Sequence, residues 1–220
     1  MVVVENFRLA STAISRNEEV APGIRLLTFP RRGDFIPGQT LALTTDQTIP
    51  ARYYSIASGR DETSIEILYD VVPGGMLTPR LARLRPGDTV FVSEAFGSFA
   101  DDEGSSVWIA AGTGVAPFVS MARSGMLAGK ALVHGSRTLG GLYLRSYFSS
   151  MLRERYVPCC SSETAGGVFF GRTTAWLAGT TLSATNRYLL CGSSRMVVDV
   201  RDILIAQGVY FDRIVAEIYF

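Results

Sequence analysis

The chain has 220 residues, of which 47% are hydrophobic and 19% are charged, a composition that fills a folded core and excludes a disordered protein. Its net charge of +1 excludes nucleic-acid binding driven by bulk positive charge. Three cysteines leave no ligand set for an iron–sulfur cluster or a structural zinc, so we expect no metal. The sparse, odd number of cysteines is typical of a reducing compartment.

We expect no targeting or membrane-spanning segment in this sequence. It begins Met-Val-Val-Val-Glu, without the basic region and long apolar run of a signal peptide. Residues 104–122 carry no charge, but this stretch is slightly too short to span a bilayer and is interrupted by Gly112, Gly114 and Pro117. We therefore expect a cytoplasmic protein without a membrane or nucleic-acid partner.

Short segments rich in β-branched and aromatic residues, separated by turn residues, occupy the first half of the chain. The predicted strands are residues 24–29, 40–44, 52–56, 64–69 and 89–92. Between the last two strands, Leu77, Leu81 and Leu84 recur at helical spacing and predict one helix over residues 76–84. Many short strands at this spacing predict a small antiparallel β-barrel.

After a polar stretch at residues 101–106, strands and helices alternate. The predicted strands are residues 107–111, 131–134, 156–160, 188–191 and 213–220, and the predicted helices are residues 116–124, 142–155, 173–178 and 195–207. This alternation predicts parallel βαβ units and a doubly wound sheet. We therefore predict two domains, the barrel over residues 1–101 and the α/β sheet over residues 102–220, with a cofactor site where they join.

A glycine-rich turn, Gly112-Thr113-Gly114, follows the strand at residues 107–111 and precedes a helix. Glycines let the backbone approach a pyrophosphate, and the N–H groups at a helix N-terminus point towards the anion. The third glycine of the dinucleotide fingerprint is absent. A tight strand-to-helix turn without a ligand is therefore the alternative.

A second candidate site combines an arginine, two aromatic residues and a hydroxyl on one extended segment, Arg52-Tyr53-Tyr54-Ser55. These side chains offer a phosphate clamp, a stacking face and a hydrogen-bond donor. The alternative is an amphipathic strand with an exposed arginine.

Two further segments have the form of binding turns. The glycine pair Gly74-Gly75 opens a predicted helix and is suited to an anion, with a simple hairpin turn as the alternative. Cys191-Gly192 ends a predicted strand at the sheet edge where open α/β sheets bind ligands. Its alternative is an ordinary buried cysteine.

Taken together and in chain order, these segments resemble the motifs of the ferredoxin–NADP reductase family, bacterial type. The matching segments are Arg52-Tyr53-Tyr54-Ser55 (flavin motif), Gly74 to Thr78 (FAD pyrophosphate loop), Gly112 to Pro117 (NADP loop), Cys191-Gly192 (nicotinamide motif) and the ending Glu217-Ile218-Tyr219-Phe220. Each motif alone has modest specificity, whereas five in order over nearly the whole chain are specific.

The resemblance implies a set of residues that bind FAD. Arg52 would pair with the phosphates, Tyr54 would stack on one flavin face and Ser55 would approach flavin N5. The full set is Arg52, Tyr53, Tyr54, Ser55, Gly74, Gly75, Met76, Leu77, Thr78, Thr113, Tyr219 and Phe220.

The resemblance also implies roles for the end of the chain. Tyr219 would cover the opposite flavin face and Phe220 would lie near the adenine. Cys191 and Glu217 would border the nicotinamide pocket. The implied catalytic set is Ser55, Cys191, Glu217 and Tyr219.

The expected NADP site contains Gly112, Thr113, Gly114, Arg137, Ser161, Arg172, Cys191 and Gly192. The strand that ends near Arg137 lacks the carboxylate with which NAD-specific sites bind the ribose 2′-OH, so this arginine favours a 2′-phosphate. A surface loop arginine is the alternative. The family has Ser-Arg-Glu where this chain has Ser161-Ser162-Glu163, which predicts a modest preference for NADPH.

The resemblance implies an FAD-dependent oxidoreductase that transfers electrons between NADPH and a one-electron carrier, ferredoxin or flavodoxin. Such carriers are typically acidic, and the first half of the chain has arginines on which a carrier could dock transiently. These arginines are Arg31, Arg32, Arg60, Arg80, Arg83 and Arg85. We expect the protein to be a monomer. The alternatives are an NAD(P)H-dependent flavin reductase and the reductase subunit of an oxygenase or other multi-component system.

Overall fold

The structure, a computed structural model, describes residues 8–46, 48–101 and 104–219. Within these ranges the chain forms thirteen strands and five α-helices. None of these helices is long and apolar enough to cross a membrane.

Antiparallel strands build the first half of the chain. They are β1 (Ala10–Ala13), β2 (Arg16–Ala21), β3 (Ile24–Pro30), β4 (Thr40–Thr44), β5 (Arg52–Ser55), β6 (Ser64–Asp70) and β7 (Thr89–Val92), with helix α1 (Thr78–Leu81) between the last two. One sheet has the order β1-β7-β4-β5 and the other β2-β3-β6. A bridge between Ile56 and Ile67 links them, and they share one apolar core. The predicted antiparallel half is confirmed, and its closure into a barrel stays a prediction.

Three parts of this half differ from the sequence prediction, and the first is strand β1, where no strand was predicted. Strand β2 was missed because Arg16-Asn17-Glu18-Glu19 is polar, as suits a strand with much of its surface exposed. The helix predicted over residues 76–84 is wrong in length, since α1 spans one turn. The Asn17 side-chain amide donates to the carbonyls of Leu81 at 2.7 Å and Leu84 at 3.0 Å, and so binds the chain where the helix was expected to continue.

Parallel strands and helices alternate in the second half. In chain order these are β8 (Ser106–Ala111), α2 (Ala116–Arg123), β9 (Lys130–Ser136), α3 (Arg145–Leu152), β10 (Tyr156–Cys160), β11 (Phe169–Phe170), α4 (Thr173–Ala178), β12 (Arg187–Ser193), α5 (Ser194–Ala206) and β13 (Ile214–Tyr219). The sheet order is β11-β10-β9-β8-β12-β13, so the chain adds strands first on one side of β8 and then on the other. The predicted doubly wound parallel sheet is confirmed. Its carboxyl edge beside β8 and β12 is the topological switch point where such sheets bind ligands.

A buried carboxylate fixes the chain where the two halves meet. Asp101 accepts hydrogen bonds from Ser106 Oγ and Trp108 Nε1, both at 2.6 Å, and lies 3.0 Å from the ammonium of Lys130. Asp101 and Lys130 are both buried, and removing one partner of such a pair typically costs about 3–5 kcal/mol. The predicted domain boundary falls directly after Asp101, where residues 102 and 103 lie outside the described ranges, so this boundary stays a prediction.

His134, the only histidine of the chain, is fully buried in β9. Its Nδ1 lies 3.2 Å from the Tyr156 hydroxyl, and its Nε2 has no hydrogen-bond partner among the described residues. Burial lowers the pKa of His134 to about 3, so the ring is neutral at physiological pH. It therefore serves packing beneath the sheet edge.

We expect His134 to make the protein acid-sensitive. In the unfolded chain its pKa is about 6.5, so below that pH the unfolded state binds a proton that the folded state does not bind. The free energy of unfolding should fall as the pH falls from about 6.5 towards 3, by up to about 1.4 kcal/mol per pH unit. Urea unfolding at pH 7 and pH 5 should show a loss about 2 kcal/mol larger in wild type than in His134→Asn. Equal losses in the two proteins would contradict this assignment.

Candidate functional site

Five side chains from both halves meet where the antiparallel and parallel sheets touch. The Thr40 hydroxyl donates to Glu217 Oε1 at 2.5 Å, and the Ser55 hydroxyl donates to the same oxygen at 3.4 Å. The Tyr219 hydroxyl donates to Ser55 Oγ at 2.8 Å. Cys191 lies beside Glu217 in the parallel pairing of β12 with β13, and its thiol interacts with the Tyr219 hydroxyl. We name these five residues the junction cluster.

Strand geometry explains why the cluster forms. Glu217 and Tyr219 are two residues apart in β13, so their side chains point to the same side of the strand. Thr40 and Ser55 are direct partners in the antiparallel pairing of β4 with β5, so their hydroxyls lie on one face. The structure therefore brings together the predicted catalytic residues and adds Thr40, which no motif in the sequence indicated.

Burial controls protonation in the junction cluster. It raises the pKa of Glu217, while hydrogen bonds from Thr40 and then Ser55 act in the opposite direction. Burial also raises the pKa of Cys191 and of Tyr219 well above their usual ranges, so thiol and phenol are neutral at physiological pH. Glu217 Oε2 is buried without a hydrogen-bond partner among the described residues. The cluster thus holds one carboxyl group, whose pKa burial raises, among a neutral thiol, a neutral phenol and two hydroxyls.

Strand β5 presents an arginine and two tyrosines beside the cluster. Arg52 and Tyr53 are exposed, and Tyr54 is partly buried. The Tyr54 ring meets the Tyr69 ring edge-on, with centroids 6.4 Å apart. Within the described part of the chain, the Arg52 guanidinium forms no ion pair or hydrogen bond. This surface offers aromatic faces and an uncompensated positive charge.

The predicted pyrophosphate loop lies between β6 and α1. Gly74 has a φ of +75° and open space around it, a conformation that favours glycine. Thr78 Oγ1 accepts a hydrogen bond from the Val72 amide at 2.9 Å, Met76 is exposed, and Leu77 packs into the antiparallel core. Only the backbone of Leu77 is therefore available to a ligand. The sequence motif did not show whether this residue would bind through its backbone or its side chain.

The second glycine-rich segment forms a 3₁₀ turn over Gly112–Val115 between β8 and α2. A Cβ atom on Gly114 would lie 2.3 Å from the Cys191 carbonyl oxygen, so only glycine lets this turn pack against β12. The Thr113 hydroxyl donates to the carboxylate of Asp70, at the end of β6, at 2.7 Å. The turn is therefore tied to both halves of the protein.

A cavity of about 420 Å³ opens at the carboxyl edge of the parallel sheet. Four of the predicted nucleotide-binding residues line it, namely Gly112, Arg137, Ser161 and Arg172. The guanidinium groups of Arg137 and Arg172 have no ion-pair or hydrogen-bond partner within residues 8–46, 48–101 and 104–219. The cavity therefore combines a glycine turn with two arginines that form no ion pair with any described residue, and the carboxylates of Asp70 and Asp199 also line it.

The cavity also contains residues that sequence reasoning missed. Arg195 and Asp199 line it from α5, with Arg195 Nε 3.8 Å from the Asp199 carboxylate. The start of α5 directly after a strand of the parallel sheet was the signal that could have indicated them. Cys191 and Gly192 are buried and do not line this cavity, since Cys191 belongs to the junction cluster. Phe220 lies outside the described residues.

Known proteins resemble this chain in sequence and in structure. The chain matches no protein-family model. It is 34% identical over 195 residues to the flavodoxin/ferredoxin–NADP reductase of Escherichia coli, an alignment that covers 76% of this chain and 77% of the relative. A crystal structure of the cytochrome P450 reductase of Amycolatopsis superposes with a TM-score of 0.85 and 27% identity, over 97% of this chain and 71% of that one. A ferredoxin NADP⁺ reductase from Neisseria gonorrhoeae, solved with bound FAD and NADP, gives a TM-score of 0.87 at 20% identity, over 96% and 99% of the two chains.

Proposed function

Because the chain belongs to the ferredoxin–NADP reductase family, we propose that it is an FAD-dependent oxidoreductase that transfers electrons between NADPH and ferredoxin or flavodoxin. The observation that carries the proposal is the junction cluster, in which Ser55 from one half meets Glu217, Tyr219 and Cys191 from the other. A site assembled from two halves suits a reaction that brings two cofactors together.

The residues present fit FAD. The Arg52 guanidinium is available for phosphate, Tyr53 and Tyr54 offer aromatic faces, and Gly74 leaves open space at its turn. We propose that Arg52 and the loop from Gly74 to Thr78 hold the pyrophosphate, with Tyr54 and Tyr219 covering the flavin. Phe220 is proposed near the adenine.

We propose that NADPH binds in the cavity at the carboxyl edge of the parallel sheet. Its pyrophosphate would lie against the turn at Gly112, Thr113 and Gly114, where backbone N–H groups favour an anion. Arg137 and Arg172 are proposed to bind the 2′-phosphate through charge-assisted hydrogen bonds, next to Ser161. The nicotinamide would then reach Cys191 and Gly192 at the end of β12.

The protein's own contribution is geometric and electrostatic. When bound, FAD accepts electrons in pairs as hydride and returns them singly. The Ser55 hydroxyl has one proton to donate, and its oxygen accepts a hydrogen bond from Tyr219. The Glu217 carboxylate places negative charge where the nicotinamide becomes a cation. Tyr219 covers Ser55 and contacts Cys191, so a nicotinamide that reaches them must displace the tyrosine.

The exposed arginines of the antiparallel half suit an acidic carrier. Arg80, Arg83 and Arg85 are exposed and form no ion pair with any described residue. Arg31 and Arg60 are engaged in contacts within the protein, Arg31 with Asp34 and Arg60 with Ser124. We therefore propose that Arg80, Arg83 and Arg85 bind the acidic carrier. We also propose that the enzyme is a cytoplasmic monomer.

We further propose that the two antiparallel sheets close into a barrel that binds FAD over residues 1–101, and that residues 102–220 bind NADP. The shared apolar core of the two sheets supports the first statement, and the separation of antiparallel from parallel pairing supports the second.

A second candidate is the reductase component of an oxygenase system. The likeness to the Amycolatopsis cytochrome P450 reductase over 97% of the chain favours it. The chemistry at the junction cluster would be unchanged, and only the electron acceptor would differ. Turnover with purified ferredoxin, flavodoxin and an oxygenase partner separates the two candidates.

We expect the protein to bind about one FAD per chain without a covalent bond, which protein and flavin absorbance will measure. Arg52→Ala should weaken FAD binding by about 1–3 kcal/mol, because it removes a charged partner of the phosphates. Arg201→Ala, which removes an arginine paired with Asp202 on α5, is the matched control and should bind FAD normally. A wild-type protein that neither copurifies with FAD nor binds it when added would rule out the proposal.

We also expect a modest preference for NADPH over NADH. Arg137→Ala and Arg172→Ala should each weaken NADPH by about 1–3 kcal/mol and leave NADH almost unchanged, since only NADPH carries the 2′-phosphate. Ser162→Arg should enlarge the preference. Steady-state kinetics with both nucleotides measure these effects, and equal losses for the two nucleotides would show that the arginines are structural.

A further inference from the structure

Thr40 is the strongest hydrogen-bond partner of Glu217. Its hydroxyl lies 2.5 Å from Glu217 Oε1, whereas the Ser55 hydroxyl lies 3.4 Å from the same oxygen. A bond to a carboxylate at the shorter distance is a strong charge-assisted hydrogen bond, and the longer one is weak. Glu217 Oε2 has no partner among the described residues, so Thr40 supplies most of the hydrogen bonding to this carboxylate.

The backbone holds Thr40 in place. Its N–H donates to the Phe96 carbonyl at 2.9 Å, and the Phe96 N–H donates back to the Thr40 carbonyl at 2.8 Å. On its other side Thr40 pairs with Ser55 across the ladder of β4 and β5. Thr40 is buried, and its backbone is held by the segment at Phe96 on one side and by strand β5 on the other. These contacts orient its hydroxyl towards Glu217.

The Thr40 and Ser55 hydroxyls have different roles in this arrangement. Ser55 has one proton, and its oxygen accepts from Tyr219. If Ser55 had to hold the charge of Glu217, that proton would not be free for a bound cofactor. We propose that Thr40 is a positioning residue, which binds Glu217 in its ionised form and thereby leaves the Ser55 proton available to the cofactor. The expected effect on turnover rests on the proposed function. The expected effect on the ionisation of Glu217 does not.

The surroundings of Glu217 make the Thr40 bond decisive for its charge. The groups that face it are Thr40, Ser55, Cys191 and Tyr219, all neutral at physiological pH. Within the described part of the chain, no cation forms an ion pair with Glu217, and burial raises its pKa. Hydrogen bonds to the charged form are therefore what oppose protonation, and losing the stronger one raises the pKa of Glu217 further.

Three variants test the proposal. Thr40→Val removes the hydroxyl and keeps the branched shape, and Thr40→Ser keeps the hydroxyl. Thr44→Val is the matched control, because Thr44 is a buried threonine of the same strand whose hydroxyl contacts the backbone of Asp46 and Ile49. The melting temperature of each variant shows that it is folded.

The first measurement is the titration of Glu217 in the FAD-free protein, by NMR of ¹³C-labelled glutamate side chains. The Glu217 signal is assigned by its loss in Glu217→Gln. Thr40→Val should move this titration to higher pH by about one pH unit or more, while Thr40→Ser and Thr44→Val should follow wild type. An unchanged titration in a folded Thr40→Val protein would overturn the proposal, whether or not the protein binds FAD.

The second measurement is the pH profile of NADPH oxidation by the FAD-loaded proteins. Thr40→Val should lose activity on the acid side, by about tenfold per pH unit of displaced titration, and should approach wild type at alkaline pH where Glu217 is ionised in both. Thr40→Ser should restore the profile. A loss that is equal at every pH would overturn the positioning role, and a wild-type protein without NADPH oxidation would count against the proposed function alone.

Discussion

The contact between Glu217 and the two hydroxyls of Thr40 and Ser55 is the interaction on which the site depends. Thr40 lies 177 positions before Glu217 in the chain, and Ser55 lies 162 positions before it. Only the docking of the antiparallel half on the parallel sheet brings them within hydrogen-bond distance. Glu217 is partly buried and its Oε2 has no hydrogen-bond partner among the described residues, so the Thr40 and Ser55 hydroxyls are what stabilise the carboxylate. The two halves and the site therefore stabilise each other.

The topology of the parallel sheet determines where the proposed FAD and NADPH sites meet. Strands β8 and β12 are neighbours at the switch point, so the turn after β8 and the Cys191 end of β12 open to the same edge. Gly114 keeps that turn in close contact with the Cys191 backbone. A bulkier residue would push the turn away from β12 and would thereby separate the cavity at the carboxyl edge from the junction cluster.

Local patterns in the sequence predicted what depends on local structure. The glycines at 112 and 114, the arginines at 137 and 172 and the alternation of strand and helix follow from chain order, and the structure places all four residues at one sheet edge. Thr40 carries no such signal, because its role arises from pairing with Ser55 and docking against β13. Strand β2 was missed because its residues are polar and largely exposed, whereas helix α1 was predicted too long because the contacts of Asn17 outweigh local propensity there.

Anaerobic mixing of the FAD-loaded protein with NADPH, followed by the loss of flavin absorbance, tests most directly that hydride transfer occurs at the junction cluster. Wild type should bleach in a single phase that slows when the transferred hydrogen is replaced by deuterium. Ser55→Ala and Glu217→Gln should each slow that phase by about 100-fold or more while NADPH still saturates at similar concentrations. Bleaching at the wild-type rate in both variants would contradict the account.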